Sequence, residues 1–171
     1  ARLFVFSDRR DHLHVLTKML GEYNKVHAGN TVDNVNVPEI ENFKELMGGS
    51  TDQSIMDAKK TGRVIMTTYP YSSTGVSIDK MDSLILATPR KSKMTQILGR
   101  IFRLGGDQSV KRFIVDIVDN KITLKSQYSA RKKVYTNMDA IDGITDVVVD
   151  YDDKINNVRG IATMLTKLRL P

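Results

Sequence analysis

The chain has 171 residues, enough for one ordinary domain with a packed core, and its 40% hydrophobic and 27% charged content excludes disordered, collagen-like and membrane-resident classes. It contains no cysteine, which excludes disulfides and thiolate metal sites and suits a reducing compartment. The net charge of +6 is unevenly placed: residues 90–133 carry twelve Lys and Arg against three acids, a local excess of nine that leaves the remainder at −3.

Leu3, Phe4, Val5 and Phe6 read as a short buried strand, followed by Ser7 and Asp8 as turn or cap residues and by Leu13, Leu16 and Leu20 at helical spacing. After Gly21 a short strand is expected around residues 25–28, and the polar stretch 29–38 reads as an insertion or surface loop. Residues 39–47 are ambiguous. They end at Gly48-Gly49, after which Ser50, Thr51 and Asp52 are available to cap a helix running to about Lys60. Runs at 63–68, 84–87 and 113–118 predict three further strands separated by helical or loop-rich sequence, and that alternation predicts a parallel sheet with helices on its faces. A basic helix containing Arg131, Lys132 and Lys133 is expected over 126–138. From Asp139 the composition turns acidic, Val147, Val148 and Val149 read as a strand, and Val158, Ile161, Ala162, Leu165 and Leu168 predict a terminal amphipathic helix over 156–168. The expected organisation is a body over 1–138 and a carboxyl-terminal extension over 139–171. His12, His14 and His27 form no ligand spacing with nearby carboxylates and read as incidental.

No window approaches 18 consecutive apolar residues, and the amino end lacks the basic, apolar and small-residue series of an export signal, so no membrane role is expected. The first residues read directly as a strand with no initiator methionine, as expected of a piece excised from a longer protein.

The segment most informative for chemistry is 92–103, which follows a strand and the break Thr88-Pro89. As a helix it places Met94, Ile97, Leu98 and Ile101 on one apolar face and Gln96, Arg100 and Arg103 together on the opposite side. Two guanidinium forks one turn apart suit the β- and γ-phosphates of a nucleotide, and Gln96 beside them can hold a water or a phosphate oxygen. Spacing alone equally fits an exposed amphipathic helix whose arginines face solvent. A second segment, 67–78, runs from a strand end into small hydroxyl residues and Gly75; at the carboxyl end of a parallel strand, such a loop can hold phosphates on its N–H and O–H groups. An ordinary serine-rich loop is the alternative there, and Tyr69 and Tyr71 are either base-stackers or packing residues. The positive segment 90–133 is likewise either a surface for polyanions or a solvated basic face.

In this order the two segments resemble motifs V and VI of superfamily 2 helicases, whose motif VI pattern Q-x-x-G-R-x-x-R is matched by Gln96, Gly99, Arg100 and Arg103. Residues 84–89 look like the family's connecting strand, Phe4-Val5-Phe6-Ser7-Asp8-Arg9 looks like its motif IV, and Gly48-Gly49 looks like its glycine loop near nucleic acid. The resemblance covers roughly residues 3–135 and is closest to helicases of large cytoplasmic DNA viruses, of the poxvirus and African swine fever virus transcript-release type. It implies an α/β RecA-like parallel sheet with helices on both faces, serving as the carboxyl-terminal half of an ATP-dependent motor. It further implies catalytic roles for Arg100, Arg103 and Gln96, nucleotide contacts from Gly75, Ser77, Gln96, Arg100 and Arg103, and nucleic-acid contacts from Gly48, Gly49 and Thr68. The implied partners are single-stranded DNA or RNA, an N-terminal RecA-like domain of the same chain and RNA polymerase, with the host cytoplasm and the virion as locations.

Two departures qualify the resemblance. Where the family's motif V reads E-G-x-D-I, this chain has Thr74-Gly75-Val76-Ser77-Ile78, so hydroxyls replace both carboxylates and the acidic contact to ribose is missing. The sequence also holds no G-x-x-x-x-G-K-[ST] loop and no Asp-Glu pair ending an apolar strand; the resemblance assigns the ATP cradle and Mg2+ to the N-terminal domain, and this chain alone is expected to be inactive. The altered motif V also suits a rival reading, a degenerate helicase domain that grips nucleic acid or a polymerase without turning over ATP. An unrelated α/β nucleotide-binding protein would need a glycine-rich loop after the first strand, where Ser7-Asp8-Arg9-Arg10 provides none.

Overall fold

In chain order the elements are β1 (Leu3–Ser7), α1 (Arg10–His27), the short strands β2 (Thr31–Val32) and β3 (Val35–Asn36), β4 (Phe43–Leu46), α2 (Asp52–Thr61), β5 (Val64–Thr68), α3 (Tyr69–Ser73), β6 (Ser83–Leu86), α4 (Met94–Leu98), β7 (Phe113–Asp116) and α5 (Ile122–Thr136). They come from a computed structural model, which describes residues 2–27, 29, 31–32, 35–36, 39–73, 81–90, 93–102, 109–119, 121–146 and 148.

Among the described residues five strands form one all-parallel sheet in the order β4-β5-β1-β6-β7. The central strand β1 is buried on both sides, which is why its sequence is a continuous apolar run rather than an alternation. Phe4, Phe6, Ile65, Leu84 and Leu86 point into one core, filled from above by Ala58 of α2, Met94, Ile97 and Leu98 of α4, and Tyr135 of α5. Val5 and Met66 point the other way, against Leu13, Leu16 and Leu20 of α1. Helices therefore cover both faces, as right-handed crossovers require when the chain first steps from β1 out to β4 and later returns past β1 to β6. That reversal puts the carboxyl ends of β1 and its neighbours at the position where open α/β sheets bind ligands.

Several expectations change. Residues 25–27 are not a strand: α1 continues through Gly21 to His27. A glycine inside a helix costs about 1 kcal/mol relative to alanine, and tertiary contacts outweigh it: the Asn24 side-chain amide donates to Ile40 O (2.8 Å) and its Oδ1 accepts from Ile40 N (2.9 Å). A Cβ at Gly21 would meet nothing within 4 Å. Gly21→Ala is accordingly expected to raise stability by about 0.5–1 kcal/mol, read as a higher urea midpoint at unchanged m-value. The stretch 29–38 contains the antiparallel pair β2–β3, and the ambiguous 39–47 contains the edge strand β4. The basic helix begins earlier than expected, at Ile122. Val148 is 89% exposed and outside any strand, while Val147, Val149 and the amphipathic stretch 156–168 lie outside the described residues. Among the described residues no helix is long and apolar enough to cross a membrane.

Candidate nucleotide and nucleic-acid site

The carboxyl edge of the sheet brings together three of the candidate residues, Gly48, Gly49 and Thr68. Ser7 and Thr68 are register partners at the ends of β1 and β5, and Leu46 is level with Thr67, so Gly48 and Gly49 follow β4 beside Thr68. The Gly48-Gly49 turn is closed by Ser50 N donating to Met47 O (2.9 Å), with Met47 N donating back to Ser50 Oγ (3.0 Å). Gly49 sits at φ +96°, a left-handed conformation that costs a residue with a Cβ about 1 kcal/mol or more. Gly48 is small for a different reason: a Cβ there would lie 2.8 Å from Nη2 of Arg10. Arg10, the first residue of α1, thus lays its guanidinium over the glycine turn, a cation placed where a phosphate backbone could be held. Sequence reasoning missed Arg10, although Arg9-Arg10 directly after a strand and turn was a visible signal. Thr68 is buried, at 7% exposure, and Ser7 is fully buried, with Oγ 3.0 Å from His12 Nδ1.

On the other side of β1, α4 starts from the connection that leaves this same edge after β6. Met94, Ile97, Leu98 and Ile101 are all buried, as the apolar face read from the sequence requires, whereas Gln96 is exposed and Arg100 half-buried. The helix is shorter than expected, ending at Leu98 and continuing as turns to Phe102. Gly99 N donates to Thr95 O (2.9 Å), then the bonding shortens to three-residue steps, Arg100 N to Ile97 O (3.2 Å) and Ile101 N to Leu98 O (2.9 Å). A Cβ at Gly99 would stand 3.0 Å from Thr95 O, so glycine permits that tightening. Arg103, Gly75 and Ser77 lie outside the described residues.

Tyr69 is 1% exposed and stacks on Phe6 at 5.4 Å, and Tyr71 packs half-buried against the same core; of the two readings, packing is the one the structure supports. His14 is not incidental: its Nδ1 lies 2.8 Å from Glu45 Oε2, tying α1 to β4. Of the basic helix, Arg131 points inward, with its side chain fully buried and bidentate to Asp116 through Nε (2.7 Å) and Nη2 (2.9 Å). Lys132 bonds Asp146, and Lys133 is exposed. Among the described residues there is no group of three or more His, Asp or Glu able to hold a metal ion.

Burial, reinforced by the Asp8 and Asp116 carboxylates, raises the Tyr69 hydroxyl pKa well above its ordinary range; burial and then the bond to Asp116 do the same for Tyr135. In the unfolded chain both groups lose their protons near pH 10, while the folded chain keeps them. The unfolded state then binds fewer protons, so stability present below about pH 10 is lost as the pH rises, by about 1.4 kcal/mol per pH unit for each tyrosine. Urea midpoints measured from about pH 9 to about pH 11.5 should show that decline, and Tyr135→Phe should make its slope shallower.

The fold, a five-stranded all-parallel sheet with helices on both faces, is that of carboxyl-terminal RecA-like domains. The carboxyl-terminal domain of the DEAD-box protein Dbp5 superposes with a TM-score of 0.56 over 80% of this chain and 71% of that one, at 15% identity. In sequence the chain is similar to helicases of viral type: a protein of African swine fever virus that carries the name of an ATP-dependent RNA helicase is 38% identical over 99 residues, 58% of this chain. The ATP-dependent DNA helicase uvsW of Enterobacteria phage T4 is 28% identical over 121 residues, 66% of this chain and 24% of the phage protein. The chain spans 19% of the length of the African swine fever virus relative. No protein-family model matches it.

Proposed function

We propose that this chain is the second motor domain of an ATP-dependent superfamily 2 helicase or translocase that tracks along single-stranded DNA or RNA, in viral transcription and with RNA polymerase as a partner. The observation that carries the reading is the exposed Gln96 of α4 and the half-buried Arg100 in the turn that follows it, opposite a buried apolar face, in a fold whose carboxyl edge gathers Arg10, Gly48, Gly49 and Thr68. ATP supplies the phosphoryl group whose transfer to water drives the cycle. Arg100 and Arg103 meet its phosphates from this side of an interdomain cleft, Gln96 orients beside them, and Gly75 and Ser77 complete the nucleotide contacts. The carboxylates that hold Mg2+ and the phosphate loop belong to the N-terminal RecA-like domain, so this chain alone does not turn over ATP.

Gly48, Gly49 and Thr68, with Arg10 over the glycine turn, hold the nucleic-acid backbone. The inward packing of Tyr69 leaves that role to phosphate electrostatics, so affinity should fall with salt. The test is nucleic-acid-stimulated ATP hydrolysis by the full-length parent beside this chain alone. Activity confined to the parent supports a site split between two domains. A folded parent that binds nucleic acid without hydrolysing ATP would establish the degenerate binding module to which Thr74 and Ser77 point.

A further inference from the structure

α4 has five residues, and its N-cap Lys93 sits in the left-handed region (φ 62°, ψ 20°) and makes no side-chain cap. So short a helix has little stability of its own; Met94, Ile97 and Leu98 seat it in the core, and ahead of it residues 87–90 of the connection from β6 are tied to the sheet edge. There, Ala87 N donates to Phe6 O (2.9 Å), Asp8 N donates to Thr88 Oγ1 (2.9 Å) and the Tyr69 hydroxyl donates to Thr88 O (2.8 Å). Arg90 ties this connection to its surroundings. Its Nη1 lies 3.0 Å from Asp8 Oδ1, its guanidinium carbon lies 4.8 Å from the centre of the Tyr69 ring, and its carbonyl accepts from Arg131 Nη1 (3.2 Å). The Arg90 side chain is 17% exposed and that of Asp8 45%, so the pair is open to solvent on the Asp8 side and shielded on the Arg90 side.

We propose that Arg90 is a positioning residue that holds the Gln96–Arg100 turn in register with the strand ends carrying the nucleic-acid contacts. The coupling is geometric: Asp8 follows Ser7, Tyr69 follows Thr68, and Ser7 and Thr68 are register partners. One planar group bonds the loop after β1 and stacks on the residue after β5, while its own backbone leads into α4. A flexible ammonium cannot make the ion pair and the stack in one geometry. The functional consequence rests on the motor reading above; the positioning itself does not.

The experiment has two readouts. In this chain, amide exchange is followed at Gly99 and Ile101, whose N–H groups bond within the turn, with the Thr51-capped α2 as internal reference. Arg90→Met should speed exchange at the turn by about tenfold or more with α2 unchanged, Asp8→Asn should give a smaller increase in the same place, and the double variant should be no faster than Arg90→Met. In the full-length parent, Arg90→Met should lower stimulated kcat by about tenfold or more with the Kd for single-stranded nucleic acid within about threefold, and Arg90→Lys should recover part of the loss. Unchanged exchange at the turn, an equal rise in α2, or additive effects of the two substitutions would overturn the proposal. So would loss of nucleic-acid affinity in proportion to kcat. A parent that hydrolyses no ATP, with exchange still raised selectively at the turn, ends the motor reading and leaves Arg90 as the residue that positions it.

Discussion

Arg100→Ala in the full-length parent is expected to lower nucleic-acid-stimulated ATP hydrolysis by about 10³-fold or more, the effect of removing a guanidinium that meets charge developing on a transferred phosphoryl group. The neighbouring Ile97, Leu98 and Ile101 hold the turn in the core, while the Arg100 side chain is half-buried off that apolar face. Arg100→Lys keeps the charge without the fork and should fall between alanine and the native enzyme. Steady-state turnover at saturating ATP and nucleic acid, with thermal unfolding as control, is the measurement. Normal turnover of the alanine variant would remove Arg100 from the chemistry. Because the magnitude attaches to kcat, a variant with raised KM and intact kcat would assign the residue to ground-state binding instead.

What could be read from the sequence, and what could not, follows from the range of the interactions involved. The runs at β1, β5 and β6 announced themselves because a strand covered on both faces must be apolar throughout, and the apolar stripe of α4 because only a helix gives Met94, Ile97, Leu98 and Ile101 one face. Phe43-Lys44-Glu45-Leu46 gave no such signal: as an edge strand, β4 is largely half-buried, its charged side chains paired with Asp57 and His14. The helix through Gly21 defeats a local reading because the residue that anchors it, Ile40, lies 16 positions beyond Asn24. The site divides in the same way. Gln96 and Arg100 are visible as a local pattern, but Arg90 acquires its meaning from Asp8, 82 positions away, and no period in the sequence connects them. The basic helix misled for a related reason. A sequence counts charges, whereas Arg131 shows that one of them serves the core.

That buried charge leads to the largest expected effect on stability. The Arg131 side chain is fully buried and that of Asp116 is 8% exposed; the pair is bidentate, and Tyr135 donates to the same carboxylate at 2.7 Å. Desolvation of the guanidinium opposes its charge, and the bonds to Asp116 outweigh it, so the Arg131 pKa is raised and the group stays ionised. Arg131→Met keeps most of the volume but leaves the Asp116 carboxylate buried with one hydroxyl donor and no counter-charge. Breaking a buried pair in this way costs about 3–5 kcal/mol, a large share of the 5–15 kcal/mol that stabilises a typical domain, and should lower the Tm by about 10 °C. The cost is that of an orphaned charge rather than of a lost attraction, so removing the second charge should recover much of it: Arg131→Met combined with Asp116→Asn is expected to be more stable than Arg131→Met alone. A double-mutant cycle by urea denaturation decides the matter. Additive losses would mean that the two residues stabilise the fold separately, and the buried pair would then be no more than a neighbourly arrangement of side chains.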